Sequence, residues 1–527
     1  MPAPSSCRCA ALSALVLLLL PAAVLVLVFR HRMAPYFAAS APHARAKSAH
    51  LDALRGGRER PRAAPAPRRR NLILVLADDL GVGDLACFGS RTIATPALDG
   101  LAARGVRGTA FYAGASVCTP SRATFLTGRW SPRTGVGGTV LFPPGHPVSF
   151  AAGLLGFPAG LLQDEITLAE ILGAAGWRTF LVGKWHLGGL TGHLPEDFGF
   201  DHHFGSLHSN DMTDFALRQG SRSGGSNVLN ASVDQARLQE AYTREIERLL
   251  DDAGTTSSKK NQPFFLMYAS NAPHEPLVAP AAADSEGAGS QGGVYGDVVE
   301  AWDSSVGRML SALERNGLSD NTLVVVASDN GPWFEGSAGP LRGRKASPWE
   351  GGHRSPLIVA GPGVGRPGRV VSAPLHAADL LPTLLTLSMG RADASAAVPN
   401  DRVVDGIDFS PTLRGRPQAV LQTRLLPFFQ QNSLVAVRRG QWKLHLDHML
   451  DPSELVRARP TKGLRRILND LAADPGEAVD ATRRYPETAA EMWAQTESFA
   501  SAFESNPRGW RNVDDRVGDG ANAGEEL

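Results

Sequence analysis

The chain has 527 residues, 43% hydrophobic and 20% charged, which is the balance of an ordinary globular protein with room for a large core and more than one domain. Of its 53 basic and 52 acidic residues, the first 70 positions hold 12 basic residues against only Asp52 and Glu59, leaving 41 and 50 in the body, a formal −9. That acidic body excludes a nucleic-acid-binding domain, and four cysteines, two of them (Cys7 and Cys9) at the extreme N-terminus, exclude a disulfide-built scaffold.

No charge falls between Arg8 and Arg30, and ALSALVLLLLPAAVLVLVF approaches the ~20 apolar residues that cross a bilayer, against ~7–15 in the core of a cleaved signal. Residues 1–33 are therefore expected to be an uncleaved signal anchor or a cleaved signal peptide. Lys and Arg are denser after the segment than before it, which by the positive-inside tendency would hold the body in the cytoplasm. The sequon Asn230-Ala231-Ser232 argues instead for glycosylation of Asn230 in the lumen. Residues 34–70, rich in Ala, Arg and Pro, read as a tether whose basic surface suits anionic polymers or lipid head groups.

The body opens with NLILVLADDLGVGD, an apolar run that empties into two carboxylates. This is the pattern of a central parallel strand delivering polar groups at its C-terminal edge, where open α/β sheets hold ligands. Asp78 and Asp79 would repel each other unless a cation lay between them, although an Asp pair also caps turns. ATPALDGLAARG predicts a helix with Thr95 as cap, Pro96 at its first position and Gly105 as stop. CTPSRATFLTGR, residues 118–129, places Cys118 at a helix N-terminus with Pro120 in the first turn. Residues 136–163 show no sustained period and are expected to be a binding loop near the mouth of the site.

ITLAEILGAAGWRTFLVGKWHLG predicts a helix, a turn at Gly176 and a strand over 179–182. Lys184 and His186 follow, and continued extended geometry would put both on one side. FGFDHHFGSLHSND, residues 198–211, reads as a polar loop, and residues 232–253 as an amphipathic helix. PFFLMYASNAPHEP is a second buried strand, ending at His274. A long helix over 296–318 precedes NTLVVVASDNG, which repeats the first pattern and empties into Asp329 and Asn330. Two strands presenting hard oxygen ligands at their carboxyl ends are hard to explain by capping, and Asp78, Asp79, Asp329 and Asn330 suit Ca²⁺ or Mg²⁺. HAADLLPTLLTL is a packing helix. From about residue 420 the strands shorten, as in LVAVRRGQWKLHL, and a last helix falls near 485–503.

CTPSR with its TGR ending, followed by GKWHLG, resembles the paired signatures of type I sulfatases, and six separated motifs across residues 71–480 keep that family's order. The resemblance implies an alkaline-phosphatase-like α/β fold: a large central mixed, mostly parallel sheet flanked by helices in a catalytic domain over 71–419. A small C-terminal α+β domain with an antiparallel sheet over 420–506 would follow, and the polar composition of 507–527 reads as a mobile tail. It implies oxidation of Cys118 to formylglycine by the formylglycine-generating enzyme in the endoplasmic reticulum, and hence a lumenal body, membrane-held, secreted or lysosomal. The implied ion is Ca²⁺ rather than Mg²⁺, held by Asp78, Asp79, Asp329, Asn330 and position 118.

Carried over residue by residue, Lys184, Lys345 and Ser209 would contact the sulfate, and His274 would assist the departing oxygen. Arg122 and His186 would steady the hydrated aldehyde. Arg344 stands where the family usually has glycine. The implied activity is hydrolysis of a sulfate ester on a small molecule or glycan, with no nucleic-acid partner. A phosphodiesterase or phosphonate hydrolase of the same superfamily, and an inactive glycan-binding relative, remain as alternatives.

Overall fold

The computed structural model describes residues 26–511 apart from 32, 58–68, 139, 214, 256–261, 280–288 and 447–465. In chain order the strands are β1 (Asn71–Ala77), β2 (Val106–Tyr112), β3 (Arg178–Gly183), β4 (His202–Gly205), β5 (Leu217–Ser221), β6 (Gly225–Asn230) and β7 (Phe264–Ala269). Then come β8 (Thr322–Ser328), β9 (Arg354–Ala360), β10 (Arg369–Val371) and β11 (Leu375–His376), and the C-terminal β12 (Leu426–Gln430), β13 (Ser433–Arg439), β14 (Trp442–His445) and β15 (Ile467–Asp470).

Eleven of them form one sheet in the order β10-β2-β9-β8-β1-β7-β3-β4-β5-β6, with β11 beside β2. Only β9 and β5 run against the rest, since each pairs antiparallel with both neighbours. The central strands β8, β1, β7 and β3 are mutually parallel. Their uninterrupted apolar runs follow from burial on both faces. Strand periodicity sorts β1 between two cores: Leu72, Leu74 and Leu76 join one, and Ile73, Val75 and Ala77 the other. Helices Leu168–Ala175 and Leu380–Met389 cover the first face, and helices Pro96–Arg104, Leu238–Thr255 and Gly293–Arg315 cover the second.

β12 to β15 form the expected small antiparallel sheet, backed by helix Pro486–Ser505 through Met492. It is locked to the body by buried charge as well as apolar packing. Lys443 Nζ lies 3.1 Å from Glu350 Oε1 and 3.0 Å from Glu477 Oε1, with all three side chains fully buried.

Several expectations are corrected. Residues 34–70 are not wholly a tether, because Ala41–Gly57 is a helix docked on the body. Lys47 pairs with Glu170 at 2.6 Å, the Ser40 amide donates to Asp164 at 2.6 Å, and Leu51 enters the core. Only His43 and Leu51 of that helix are buried, so polar anchors rather than an apolar stripe hold it, and composition does not reveal them. The tail is not free at its start: Pro507 to Gly509 are buried, Trp510 bridges to Arg402, and His43 stacks on Trp510 at 4.0 Å. Thr95 makes no cap; Asp303 of helix Gly293–Arg315 accepts from the amides of Ala97 and Leu98 instead. Part of the predicted loop 198–211 is β4, and loop 136–163 contains helix Pro147–Leu154. The signal-anchor assignment lies mostly outside the described residues, among which no helix is long and apolar enough to cross a membrane.

Candidate active site

The site lies where the parallel strands end. β1 delivers Asp78 and Asp79, β8 delivers Asp329 and Asn330, β3 delivers Lys184, and the turn after β7 delivers His274. The chain leaves β3 through a tight passage: Gly183 has φ +111°, and a Cβ there would stand 1.9 Å from Ala269 O, so only glycine lets Lys184 emerge at this point. His186 then takes φ +59°. Extended geometry therefore ends at Gly183, and the expected alternation of Lys184 and His186 does not hold.

Cys118 opens helix Cys118–Thr127 and is buried, with its Sγ 3.5 Å from Asp78 Oδ1. Burial pushes its thiol far up, and the nearby charges of Lys184 and Lys345 do not offset this. A plain thiol here is thus held protonated and is a weak nucleophile. Arg122, one turn along the same face, donates from Nε to Asp329 Oδ2 at 2.8 Å and from Nη1 to Lys184 O at 2.8 Å. Its Nη2 lies 3.6 Å from Asp78 Oδ2.

Two ion pairs tie the remaining groups together. Lys184 Nζ lies 2.5 Å from Asp78 Oδ2 and 3.0 Å from Ser209 Oγ. Lys345 Nζ lies 2.7 Å from Asp79 Oδ2 and 3.0 Å from His274 Nε2. Because His274 Nδ1 bonds the Glu275 carbonyl at 2.6 Å, Nδ1 carries the proton and Nε2 accepts from Lys345. The site thus gathers three carboxylates (Asp78, Asp79, Asp329) and three basic side chains (Arg122, Lys184, Lys345).

His186 is buried nearby, with one ring nitrogen engaged outside this set. Nε2 meets Leu141 O at 2.9 Å, and Nδ1 has no partner. Burial, then the charge of Lys184, holds its pKa well below the usual imidazole value, so the ring is neutral with its lone pair on Nδ1.

The carboxylates fit a hard cation. Asp78, Asp79, Cys118 and His274 each offer a donor atom within 4.8 Å of the others. Asn330 donates to Asp79 Oδ1 at 2.6 Å while its own Oδ1 is buried without a partner. Burial and the adjacent Asp78 push Asp329 up to about 7, the response of a carboxyl crowded by like charge. Asp329 is also engaged by Arg122, and the tightest cluster includes His274, which the sequence reading left out of the ligand set.

Two further residues were missed. Thr119 donates to His186 O at 3.1 Å and accepts from the Leu141 amide at 3.1 Å, while Ser121 accepts from the Gly114 amide at 3.0 Å. Both sit inside CTPSR, and their hydroxyls next to Cys118 were the available signal. Arg344, the departure from glycine, donates to Trp333 O at 2.7 Å and Phe334 O at 3.1 Å. It braces the neighbouring loop rather than entering the site.

The sulfatase family model matches residues 70–390, a span that contains every one of these groups. The chain belongs to the sulfatase family. Arylsulfatase A of Homo sapiens is 35% identical over 446 residues, covering 78% of this chain and 83% of that protein. N-acetylgalactosamine-6-sulfatase of Mus musculus is 35% identical over 402 residues, covering 73% of each. Among solved structures, Ps i-CgsB in complex with k-i-k-neocarrahexaose is 25% identical, with a TM-score of 0.66 over 84% of this chain and 94% of that one. Sulfatases are sulfuric ester hydrolases, and this chain is an enzyme of that family with the fold its sequence implied.

Proposed function

We propose that this chain hydrolyses a sulfate monoester to an alcohol and inorganic sulfate, with position 118 converted to formylglycine and Ca²⁺ held by Asp78, Asp79, Asp329 and Asn330. The observation that carries the reading is the meeting of position 118, three buried carboxylates and three cations at one sheet edge. As formylglycine, position 118 supplies a hydrated aldehyde whose two hydroxyls allow both attack on sulfur and later release of sulfate. A bound divalent cation supplies charge for an anionic substrate and acidifies a coordinated hydroxyl.

Lys184 and Lys345 hold the sulfate oxygens where charge grows during transfer, with Ser209 beside Lys184. His274 meets the departing oxygen through Nε2, and a proton reaches that oxygen along the contact between Lys345 and His274. Arg122 fixes Asp329 and Asp78 relative to the helix that carries position 118. His186, neutral with its lone pair on Nδ1, is the base that removes a proton from the hydroxyl at 118. The substrate is a sulfated small molecule or glycan. A cavity of about 370 Å³, lined in part by Val117, Pro120, Phe142, Ala346, Gln430 and Ser433, is the proposed seat of the alcohol. In this reading loop 136–163 takes part in specificity through Phe142. The route is lumenal, which agrees with the exposed position of Asn230 at the end of β6.

Mass spectrometry of the tryptic peptide Gly108–Arg122 from protein made in a eukaryotic secretory pathway tests the reading. An aldehyde at 118 is expected, and an unmodified thiol in cells that mature other sulfatases would defeat it. Nitrophenyl sulfate should turn over faster than nitrophenyl phosphate; the reverse ranking would move the chain to the phosphodiesterase reading. Lys184→Ala and Lys345→Ala should each lower kcat on nitrophenyl sulfate by on the order of 10²-fold or more with the fold intact. Wild-type turnover in either would remove that lysine from the site.

A further inference from the structure

The two longest stretches of the chain without Asp, Glu, Lys or Arg are residues 9–29 and 134–163. In a chain that is 20% charged, a stretch as long as the second would carry about six charges. That second stretch is not all spent on the core. Its helix Pro147–Leu154 has no buried residue, and Phe150 is 70% exposed, Leu154 53% and Val148 44%. An apolar, uncharged helix left on the surface marks a contact with something other than water.

The structure brings the two stretches together. The described end of the first, residues 26–31, is helical. Its Phe29 lies against Phe157 with ring centroids 5.9 Å apart, and the adjoining Arg30 donates from Nη1 to Leu154 O at 3.3 Å. Leu27 and Val28, just before Arg30, are 65% and 52% exposed, so the end of the run is not covered by the body. On its other side helix Pro147–Leu154 is tied to the wall of the candidate active site. Ser149 Oγ lies 3.0 Å from both Phe142 O and Pro143 O, to which it donates. The His146 ring stacks on Phe142 at 4.8 Å, and Phe142 lines the cavity of about 370 Å³.

We propose that helix Pro147–Leu154, together with Leu27 and Val28, is a bilayer-contacting surface that lies in the lipid interface next to the cavity wall at Phe142. Residues 9–29 approach the ~20 apolar residues that match a bilayer, and that run ends on this helix. The helix itself has eight residues, about 12 Å in length and ~10 Å across. It is too short to cross a bilayer and far below the ~800 Å² per partner of a stable protein interface. Lying in the interface needs no matched partner, only an apolar face with basic groups at headgroup level. Arg30 and His31, both exposed, stand at the edge of the patch where lipid phosphates would meet them. None of this depends on the chemistry at position 118.

Photo-crosslinking of the whole chain, as purified from a eukaryotic secretory pathway and mixed with phosphatidylcholine vesicles, is the test. The probe is p-benzoyl-phenylalanine in place of Phe150 or, as control, in place of Val479, which is 61% exposed. Lipid adducts, read by mass spectrometry, should be at least fivefold more abundant at 150 than at 479. A smaller ratio, or no adduct at 150, would overturn the proposal. A main product that joins two chains through position 150 would assign the surface to a second copy, and one that joins it to residues 9–25 would show the chain covering itself; either result also overturns it. If the variant at 150 melts below the wild type, the same probe at the exposed Val148 is read by the same criteria.

Discussion

Arg122 shows what a single residue does at this site. Its guanidinium is fully buried and spans two carboxylates and a carbonyl, Asp329, Asp78 and Lys184 O. Removing one partner from such a set leaves buried charge uncompensated, which costs about 3–5 kcal/mol. Arg122→Ala should therefore lower unfolding free energy by that amount in urea titrations as well as abolish turnover. A loss below 1 kcal/mol would mean the carboxylates do not depend on it. The sequence made Arg122 legible as part of a motif, since CTPSR is a contiguous string. Its partners were not legible as partners, because Asp329 lies 207 residues away and only the fold brings them together. The same holds for His186, where the alternation rule predicted a side chain beside Lys184. A left-handed backbone at a non-glycine position turned the ring towards Leu141 instead, and nothing in GKWHLG announces that.

At the scale of elements, the apolar strands were readable because burial on both faces leaves unbroken runs, as in NLILVLA and TLVVVAS. Helix boundaries were readable where the caps are local: Thr167 and Glu170 form a capping box at helix Leu168–Ala175. They were misread where the cap comes from elsewhere, as at helix Pro96–Arg104. There Asp303 reaches across from another helix, while Thr95 spends its hydroxyl on Asp99 and the Ala86 amide. Burial raises Asp303 to about 6 against the two amide bonds that favour its charged form. A carboxyl that binds its proton more tightly in the folded state adds stability below the unfolded pKa of ~3.9 and loses that addition as pH rises to about 6. Asp303→Ala should accordingly cost about 1 kcal/mol at pH 7 as a lost cap, and more at pH 4.5. A cost that does not vary with pH between these values would show that Asp303 titrates normally.

Across the whole molecule, the two sheets are joined by charge sealed from water. Lys443 on β14 sits between Glu350 of the body and Glu477, and His445 Nε2 bonds Glu477 Oε1 at 2.7 Å. Lys443→Ala would leave two buried carboxylates facing each other. The expected result is a loss of about 3–5 kcal/mol and a single cooperative transition that shifts as a unit. Early release of the C-terminal sheet alone would show that the interface rests on its apolar contacts, such as Tyr112 and Trp349 against Phe428. The switch to short strands after residue 420 marked this sheet in the sequence. The lock did not show, because Glu350 and Lys443 lie 93 residues apart and only the fold brings them together.

Helix Ala41–Gly57 carries one consequence of its own. It is fastened by Lys47 to Glu170 and by Ser40 to Asp164, and it meets the far end of the described chain where His43 stacks on Trp510 and Arg508 donates to Ala38 O at 2.9 Å. The stretch from Arg58 to Arg68, with four arginines in eleven positions, is the covalent link between this helix and β1. A protease that cuts after those arginines would sever the backbone without separating the pieces. The product should run as two polypeptides on a denaturing gel and as one particle on a sizing column, with turnover retained, so that a nicked form would be a mature enzyme of two chains rather than a degraded one.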